Sequence, residues 1–488
     1  MQRGGYRELM ALAWPVVLAR SAQAVIGFSD AAMVAPLGED ALAATTAAAM
    51  NTIAFFVLPE GIVFIVQSFA AQLVGQRDLR GALRYAYYAL MLAALTFVLS
   101  LAAIPGLGAF IDQLGFSPEV RALMASYMAI RFVAAAAVVG SEGLGNWYAG
   151  LGDTRVAMLA SILAMVINIG LNWLLIYGHL GAPALGVEGA AWASVIASWV
   201  SFAAIGLYFF VDRGGRVMSG LHAAEQGSSC RQLPELQRRA TGSSESLPVA
   251  KSVIASDHLS FAEFRRMLHY GLPNGLNWLL EFSAFLIFIN VIFADLGTSV
   301  IAALMAVIEV NSLSFMPSFG LACAGAILAG QAIGRGEHDC VPRIVARTLS
   351  LAVVWQGLVG IIYLIFPVSL MAIFAAESNH PESSEIAILG ASLLVISVAW
   401  QIFDAIVMTL SEALRAAGDT AWCLWARLAT GWFLWLPLSY AVVKICNGSP
   451  AEAIWCMVAD FAALTIALAW RFRGGAWRHI DLTGQSIL

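Results

Sequence analysis

Near the N-terminus, Tyr6-Arg-Glu-Leu-Met-Ala-Leu-Ala-Trp-Pro15 opens a long apolar run, and much later Phe264-Arg-Arg-Met-Leu-His-Tyr-Gly-Leu-Pro273 opens another. The likeness extends outward from these two stretches. Leu37-Gly38 followed by Leu42-Ala-Ala44 returns as Leu296-Gly297 followed by Ile301-Ala-Ala303. Pro59 is matched by Pro317, Gln72-Leu-Val-Gly75 by Gln331-Ala-Ile-Gly334, and Gly152-Asp-Thr154 by Gly418-Asp-Thr420. The offsets between copies run from 258 to 266, so order and spacing are kept with only a small insertion. Two similar apolar bundles can rock against each other around a central cavity, which is the geometry of alternating access.

The 488 residues are 60% hydrophobic and only 12% charged, with a mean hydropathy of +0.80. Soluble domains carry about 25% charge, so the chain reads as a multi-spanning membrane protein. The net charge of −5 decides little, because charge position matters more than its sum. Cys230, Cys323, Cys340, Cys423, Cys446 and Cys456 are scattered without a CxxC pair, and read as small apolar residues or free thiols. Arg3 and Arg7 precede a long apolar run with no small-residue cleavage site, so the first span is expected to be retained.

Apolar length predicts twelve helical spans, near 9–34, 42–74, 85–108, 119–149, 154–178, 187–211, 265–294, 299–333, 344–375, 384–416, 420–445 and 451–472. The runs are continuous rather than alternating, which excludes a β-barrel. The expected organisation is an all-α membrane protein of two pseudo-symmetric six-helix bundles, 1–211 and 261–475. A flexible cytoplasmic linker at 212–260 joins them and a cytoplasmic tail follows at 476–488. Arginines and lysines gather on one side, at Arg77, Arg80, Arg84, Arg155, Arg265, Arg266, Arg335, Arg343 and Arg347 among others. The opposite side holds only Arg121 and Lys444, so both termini are expected inside the cell. Ser260-Phe-Ala-Glu263 has the spacing of a capping box opening the seventh span.

Charges within a span cost at least about 2.5–3.5 kcal/mol each and mark candidate functional positions. Asp30 lies toward the outer end of span 1, with Asn168 and Asn172 four apart on one face of span 5. Asp30 reads as a titratable or cation-binding carboxylate, and the two asparagines as neutral oxygens beside it or as interhelical hydrogen bonds. Glu281 and Asp404 lie near the middle of spans 7 and 10. Two such carboxylates favour a proton, Na⁺ or an organic cation that relieves their burial, a physical basis for exchange. Glu60, Glu142 and Glu309 are also intramembrane, with structural ion pairing and function both open. Glu412 beside Arg415 reads as a surface pair, and Arg20 and Arg427 as side chains able to snorkel.

The chain resembles the MATE (multidrug and toxic compound extrusion) family on its NorM-like branch, within a wider group that includes oligosaccharide and lipid flippases. The likeness covers both bundles. It rests on Gly27-Phe-Ser-Asp-Ala-Ala-Met-Val34, Asn168-Ile-Gly-Leu-Asn-Trp173, Leu185-Gly-Val-Glu-Gly-Ala-Ala-Trp-Ala-Ser194, Phe315-Met-Pro-Ser-Phe-Gly320, Gly330-Gln-Ala-Ile-Gly334 and the paired Gly-Asp-Thr turns. The resemblance implies twelve helices in two lobes and export of organic cations in exchange for H⁺ or Na⁺. Asp30, Glu281 and Asp404 match the family's acids, and Ser194 falls where many members carry Thr. Trp400 stands where some members carry a cation-site Tyr, and Asn172 where some carry Asp; the donor-only indole of Trp400 weakens a Na⁺ site at Glu281 and Asp404.

The sequence therefore points to a secondary antiporter for cationic amphipathic compounds. It is expected to be a monomer in the plasma membrane (the inner membrane of a bacterium), needing no cofactor beyond the coupling ion and no nucleic acid. A flippase for a lipid-linked oligosaccharide is the alternative, and would call for a cationic cavity. An intramembrane enzyme is remote. His179, His222, His258, His269, His338, His380 and His479 fall in loops or near span ends, and neither HExxH nor a nucleotide-binding Walker motif occurs.

Overall fold

The structure is a computed structural model that describes residues 5–212, 258–376 and 383–484. Most of the expected linker, 213–257, lies outside the described residues, together with 485–488 of the expected tail. Apolar sequence in lipid must satisfy its own backbone, and among the described residues it does so entirely with helices. The first lobe holds α1 (Tyr6–Val34), α2 (Glu39–Phe64), α3 (Val66–Gly75), α4 (Leu79–Ala103), α5 (Leu107–Ile111), α6 (Pro118–Phe132), α7 (Ala135–Leu151), α8 (Arg155–Tyr177) and α9 (Val187–Asp212). The second lobe holds α10 (Phe261–Ile287), α11 (Thr298–Gly334), α12 (Val341–Ile365), α13 (Pro367–Ala376), α14 (Ser383–Ala416), α15 (Thr420–Arg427), α16 (Leu436–Tyr440) and α17 (Pro450–Arg473). Wide π-type turns at Leu428–Trp435 join α15 to α16. Eleven runs are long and apolar enough to cross a bilayer, and α6 with α7 makes the twelfth.

Three local expectations are corrected. The span expected as one rod at 119–149 is broken between α6 and α7 by a 49° bend. The carbonyls freed there do not go unpaired: Ser100 Oγ donates to Phe132 O at 2.6 Å and Trp199 Nε1 to Val133 O at 3.2 Å. The capping box does not form, because Ser260 makes no side-chain cap. Glu263 is drawn away to α4, where Arg84 grips it with Nε and Nη2, both at 2.8 Å, and Tyr88 Oη donates at 2.8 Å. Residues 476–484 do not trail free. Leu482 is fully buried, and Thr483 bridges the lobes, accepting from Gln76 Nε2 at 3.0 Å and from Arg266 Nη1 through its carbonyl at 2.5 Å.

The repeated motifs meet each other at the end of the molecule that carries the arginines. Gln72 Nε2 donates to Ala416 O at 2.6 Å, across the lobe boundary. Its repeat partner Gln331 donates to Gly150 O at 3.2 Å, in the opposite sense. Gly75 lies against the Gln331 carbonyl, and Gly334 against the Gln72 carbonyl, with no room for a Cβ on either. Higher up, Gly61 faces Gly275, where a Cβ would lie 2.6 Å from the partner's Cα. Gly152 and Gly418, at φ 94° and 91°, end α7 and α14 in the left-handed turn that glycine adopts without steric cost.

The Glu412–Arg415 pair is also part of this seam, not of the surface. Both residues are at most 5% exposed, and the guanidinium lies 4.4 Å from the centroid of Phe64 in the other lobe. Overpacking a close backbone crossing costs about 1–3 kcal/mol. Gly75→Ala and Gly334→Ala should therefore each lower the thermal unfolding midpoint of the detergent-purified protein. Gly27→Ala should not, since an added Cβ there meets nothing within 4 Å. Equal midpoints for all three would remove the seam from the account.

Candidate functional site

Each lobe holds a cavity with charged residues among largely apolar walls, and Ile53 of α2 lines both. In the first lobe, α1, α8 and α9 converge on Asp30, which is 7% exposed. Asn172 Nδ2 donates to Asp30 Oδ1 at 2.5 Å, and Ser194 Oγ to Asp30 Oδ2 at 2.9 Å. Asn168 closes the ring, donating to Ser194 Oγ at 3.1 Å and accepting from Asn172 Nδ2 at 3.2 Å. The i, i+4 spacing of the asparagines thus serves one acid. It is the amide nitrogen of Asn172, not an amide oxygen, that meets the carboxylate, while Asn172 Oδ1 is buried without a donor.

Asn168 and Ser194 form one wall of a cavity of about 430 Å³ that also reaches Arg20, Glu60, Arg131 and Glu142. Glu142 does not use the arginine of its own bent span. It pairs with Arg20 of α1, Oε1 to Nη2 at 2.6 Å, and accepts from Asn146 Nδ2 at 3.1 Å. Arg20 is therefore an ion-pair partner across helices, not a snorkelling side chain. Glu60 faces the same cavity between Arg20, Arg131 and Glu142, whose fields all act on it.

The second lobe's cavity is larger, about 790 Å³, and lies between Glu281 on α10 and Asp404 on α14. Trp400, Trp432, Trp435, Phe315, Met408 and Met457 supply aromatic and thioether walls. Trp432 is fixed by donating Nε1 to Leu280 O at 3.1 Å. Such faces suit flat or bulky cations. Glu281 has a basic partner that the sequence alone did not supply: Arg427 Nη2 stands 3.2 Å from its Oε1. Arg427 is held by this pair and lies 5.9 Å from the Phe461 ring centroid, so it too does not snorkel. Asp460, on α17, lines the same cavity at 2% exposure. Sequence reading passed over it, although it sits at mid-span in 451–472, and intramembrane charge was the signal that could have found it.

Glu309 is not brought to either site; it is exposed on α11 and lines neither cavity. Among the described residues no group of three or more His, Cys, Asp or Glu is arranged to hold a metal ion. Cys323, Cys340, Cys423, Cys446 and Cys456 are free thiols.

A two-lobed helical bundle with acids at membrane depth in paired cavities defines a membrane transporter rather than an enzyme. The model of the MatE family matches residues 15–174 and 273–441, one block in each lobe. The chain belongs to the MATE family and to its NorM-like branch. It is 28% identical to the multidrug resistance protein PmpM of Pseudomonas aeruginosa, over 90% of this chain and 84% of that one. To the multidrug resistance protein NorM of Aliivibrio fischeri it is 25% identical, over 89% and 86%. Its fold matches a solved MATE in complex with MaL6, with a TM-score of 0.81, 20% identity and 97% of each chain covered. It also matches an outward-facing multidrug resistance MATE family transporter, with a TM-score of 0.80, 20% identity, and 97% and 96% covered.

The Arg20–Glu142 pair is partly buried, its side chains 22% and 15% exposed, and removing one partner leaves an uncompensated charge at a cost of about 1–3 kcal/mol. Glu142→Gln should accordingly lower the melting midpoint of the purified protein by several degrees. Adding Arg20→Gln to it should recover most of the loss. A Glu142→Gln variant as stable as the parent would mean that the pair contributes nothing.

Proposed function

We propose that this chain is a multidrug efflux antiporter. It exports cationic amphipathic compounds in exchange for H⁺ or Na⁺, acting as a monomer in the plasma membrane with both termini cytoplasmic. The observation that carries the reading is the second-lobe cavity. Glu281 and Asp404 stand at membrane depth within aromatic and thioether walls large enough for an organic cation. Two carboxylates there favour whichever cation is present, so an ion and a drug compete for the same charge. That competition couples uptake of one to release of the other.

The names of PmpM and NorM, and of the multidrug resistance MATE with which the fold aligns, agree with this reading. The lobes touch toward the arginine-rich end, through Gln72, Gln331 and the Thr483 bridge. The positive-inside rule makes that end the cytoplasmic one, so these contacts join the lobes on the cytoplasmic side. Asp30 in its amide and hydroxyl ring is the second coupling candidate, and Asn168, Asn172 and Ser194 are the residues that orient it. Arg427 beside Glu281, with the donor-only Trp400 in the same cavity, favours H⁺ over Na⁺ in the second lobe. A lipid-linked oligosaccharide would need a cationic cavity for its pyrophosphate. The acids Glu281, Asp404 and Asp460 argue against that.

The test is ethidium efflux from proteoliposomes with ΔpH and ΔNa⁺ imposed separately. We expect efflux driven by one gradient, reduced at least about tenfold in Asp404→Asn, the loss of a charge worth roughly 1.4 kcal/mol or more to the coupling step. Failure of a panel of cationic dyes to move under either gradient would end the drug-export reading and make lipid-linked sugars the next substrates to try.

A further inference from the structure

Asp460 is a carboxylate that neither the family's acids nor the sequence motifs account for. It is 2% exposed, its Oδ1 has no hydrogen-bond donor, and it faces the second-lobe cavity. The helix that carries it, α17, is the last span of the second lobe, as α9 is of the first. In the first lobe that span sends Ser194 to Asp30, and in the second it sends a further carboxylate into the cavity.

The charged and titratable groups around it come from four helices. Glu281 enters from α10, Asp404 with Glu412 and Arg415 from α14, Cys423 and Arg427 from α15, and Asp460 from α17. Glu412 and Arg415 pair with each other at the lobe seam. That leaves three acids and one cation. Arg427 is bound to Glu281, and its field reaches Asp404 and Asp460, neither of which it pairs with in this state.

We propose that Asp460 is a third carboxylate of the second-lobe cation site, and that Arg427 is a built-in counter-ion which an incoming organic cation displaces from Glu281 toward Asp404 and Asp460. This rests on the antiporter reading above and deepens it. With all three acids ionised and Arg427 cationic, the cluster carries a charge of −2. Apolar walls tolerate little net charge, so the site takes up two positive charges in total. Either two protons satisfy it, or one monovalent organic cation and one proton, or one dication. Protons leaving the acids pass to water in the cavity as the organic cation binds.

The experiment uses the full-length protein purified in detergent and tetraphenylphosphonium as the probe. Binding is read by quenching of the cavity tryptophans Trp400, Trp432 and Trp435. Proton release on binding is read in weakly buffered solution. Asp460→Asn should bind the probe about tenfold more weakly, a shift of roughly 1.4 kcal/mol, and should release fewer protons per bound cation than the parent. Asp460→Ser, which removes the charge with a smaller side chain, should do the same and guards against a folding defect peculiar to Asn.

Arg427→Gln should bind the probe about tenfold more tightly, because Glu281 loses its competitor; a purely structural arginine would give weaker binding. Parent-like affinity and proton release in both Asp460 variants would overturn the role of Asp460. Weaker binding in Arg427→Gln would overturn the counter-ion. Asp404→Asn and Glu281→Gln serve as controls. If both bind tetraphenylphosphonium like the parent, it is the antiporter site itself that fails, not the assignment of Asp460.

Discussion

The rest of the molecule depends on one close crossing, that of the two Gln-x-x-Gly turns. Gly75 and Gly334 let α3 and α11 approach until each backbone touches the other's glutamine carbonyl. Each glutamine side chain then spans the boundary to a carbonyl near the opposite Gly-Asp-Thr turn, Gln72 to Ala416 and Gln331 to Gly150. In a membrane no hydrophobic force draws helices together, so small residues and interhelical hydrogen bonds must do it. A duplicated motif satisfies this requirement twice through a two-fold relation. Such a seam is made of discrete contacts, and so it can be held or released as a unit.

Above the seam the two lobes solve the same electrostatic problem differently. The first lobe holds Asp30 with neutral donors from Asn172 and Ser194, which satisfy the carboxylate without cancelling its charge. The second lobe sets a guanidinium beside Glu281 and leaves Asp404 and Asp460 without an ion pair. The pseudo-symmetry of the helices is therefore not a symmetry of the chemistry. The last span of the first lobe brings a serine to its acid, whereas that of the second brings a further acid to the cavity.

Much of this could be read from the chain. Apolar runs located the spans to within several residues, because the length needed to cross a bilayer is a property of the segment alone; the exception is the run expected at 344–375, which ends at Ile365, with Pro367–Ala376 a separate helix beyond a break at Phe366. The cost of intramembrane charge marked Asp30, Glu281 and Asp404 as positions to inspect, and the structure lines cavities with Glu281 and Asp404 and rings Asp30 with polar side chains. The same cost should have marked Asp460. The bend between α6 and α7 had no proline to announce it; it is tolerated because Ser100 and Trp199, distant in sequence, take the freed carbonyls.

What the sequence determined by itself was depth and repetition: which segments cross, that they form two like halves, and which side chains carry charge into the membrane. Those follow from composition and spacing along one strand of covalent chain. What only the tertiary structure decided was partnership. Glu142 pairs with Arg20 rather than Arg131, Glu281 with Arg427, Glu263 with Arg84 rather than the Ser260 cap, and Glu412 with Arg415 lies in the seam rather than at the surface. A helical period fixes the face on which a side chain stands, but the group it meets belongs to another helix whose rotation and height are set by packing.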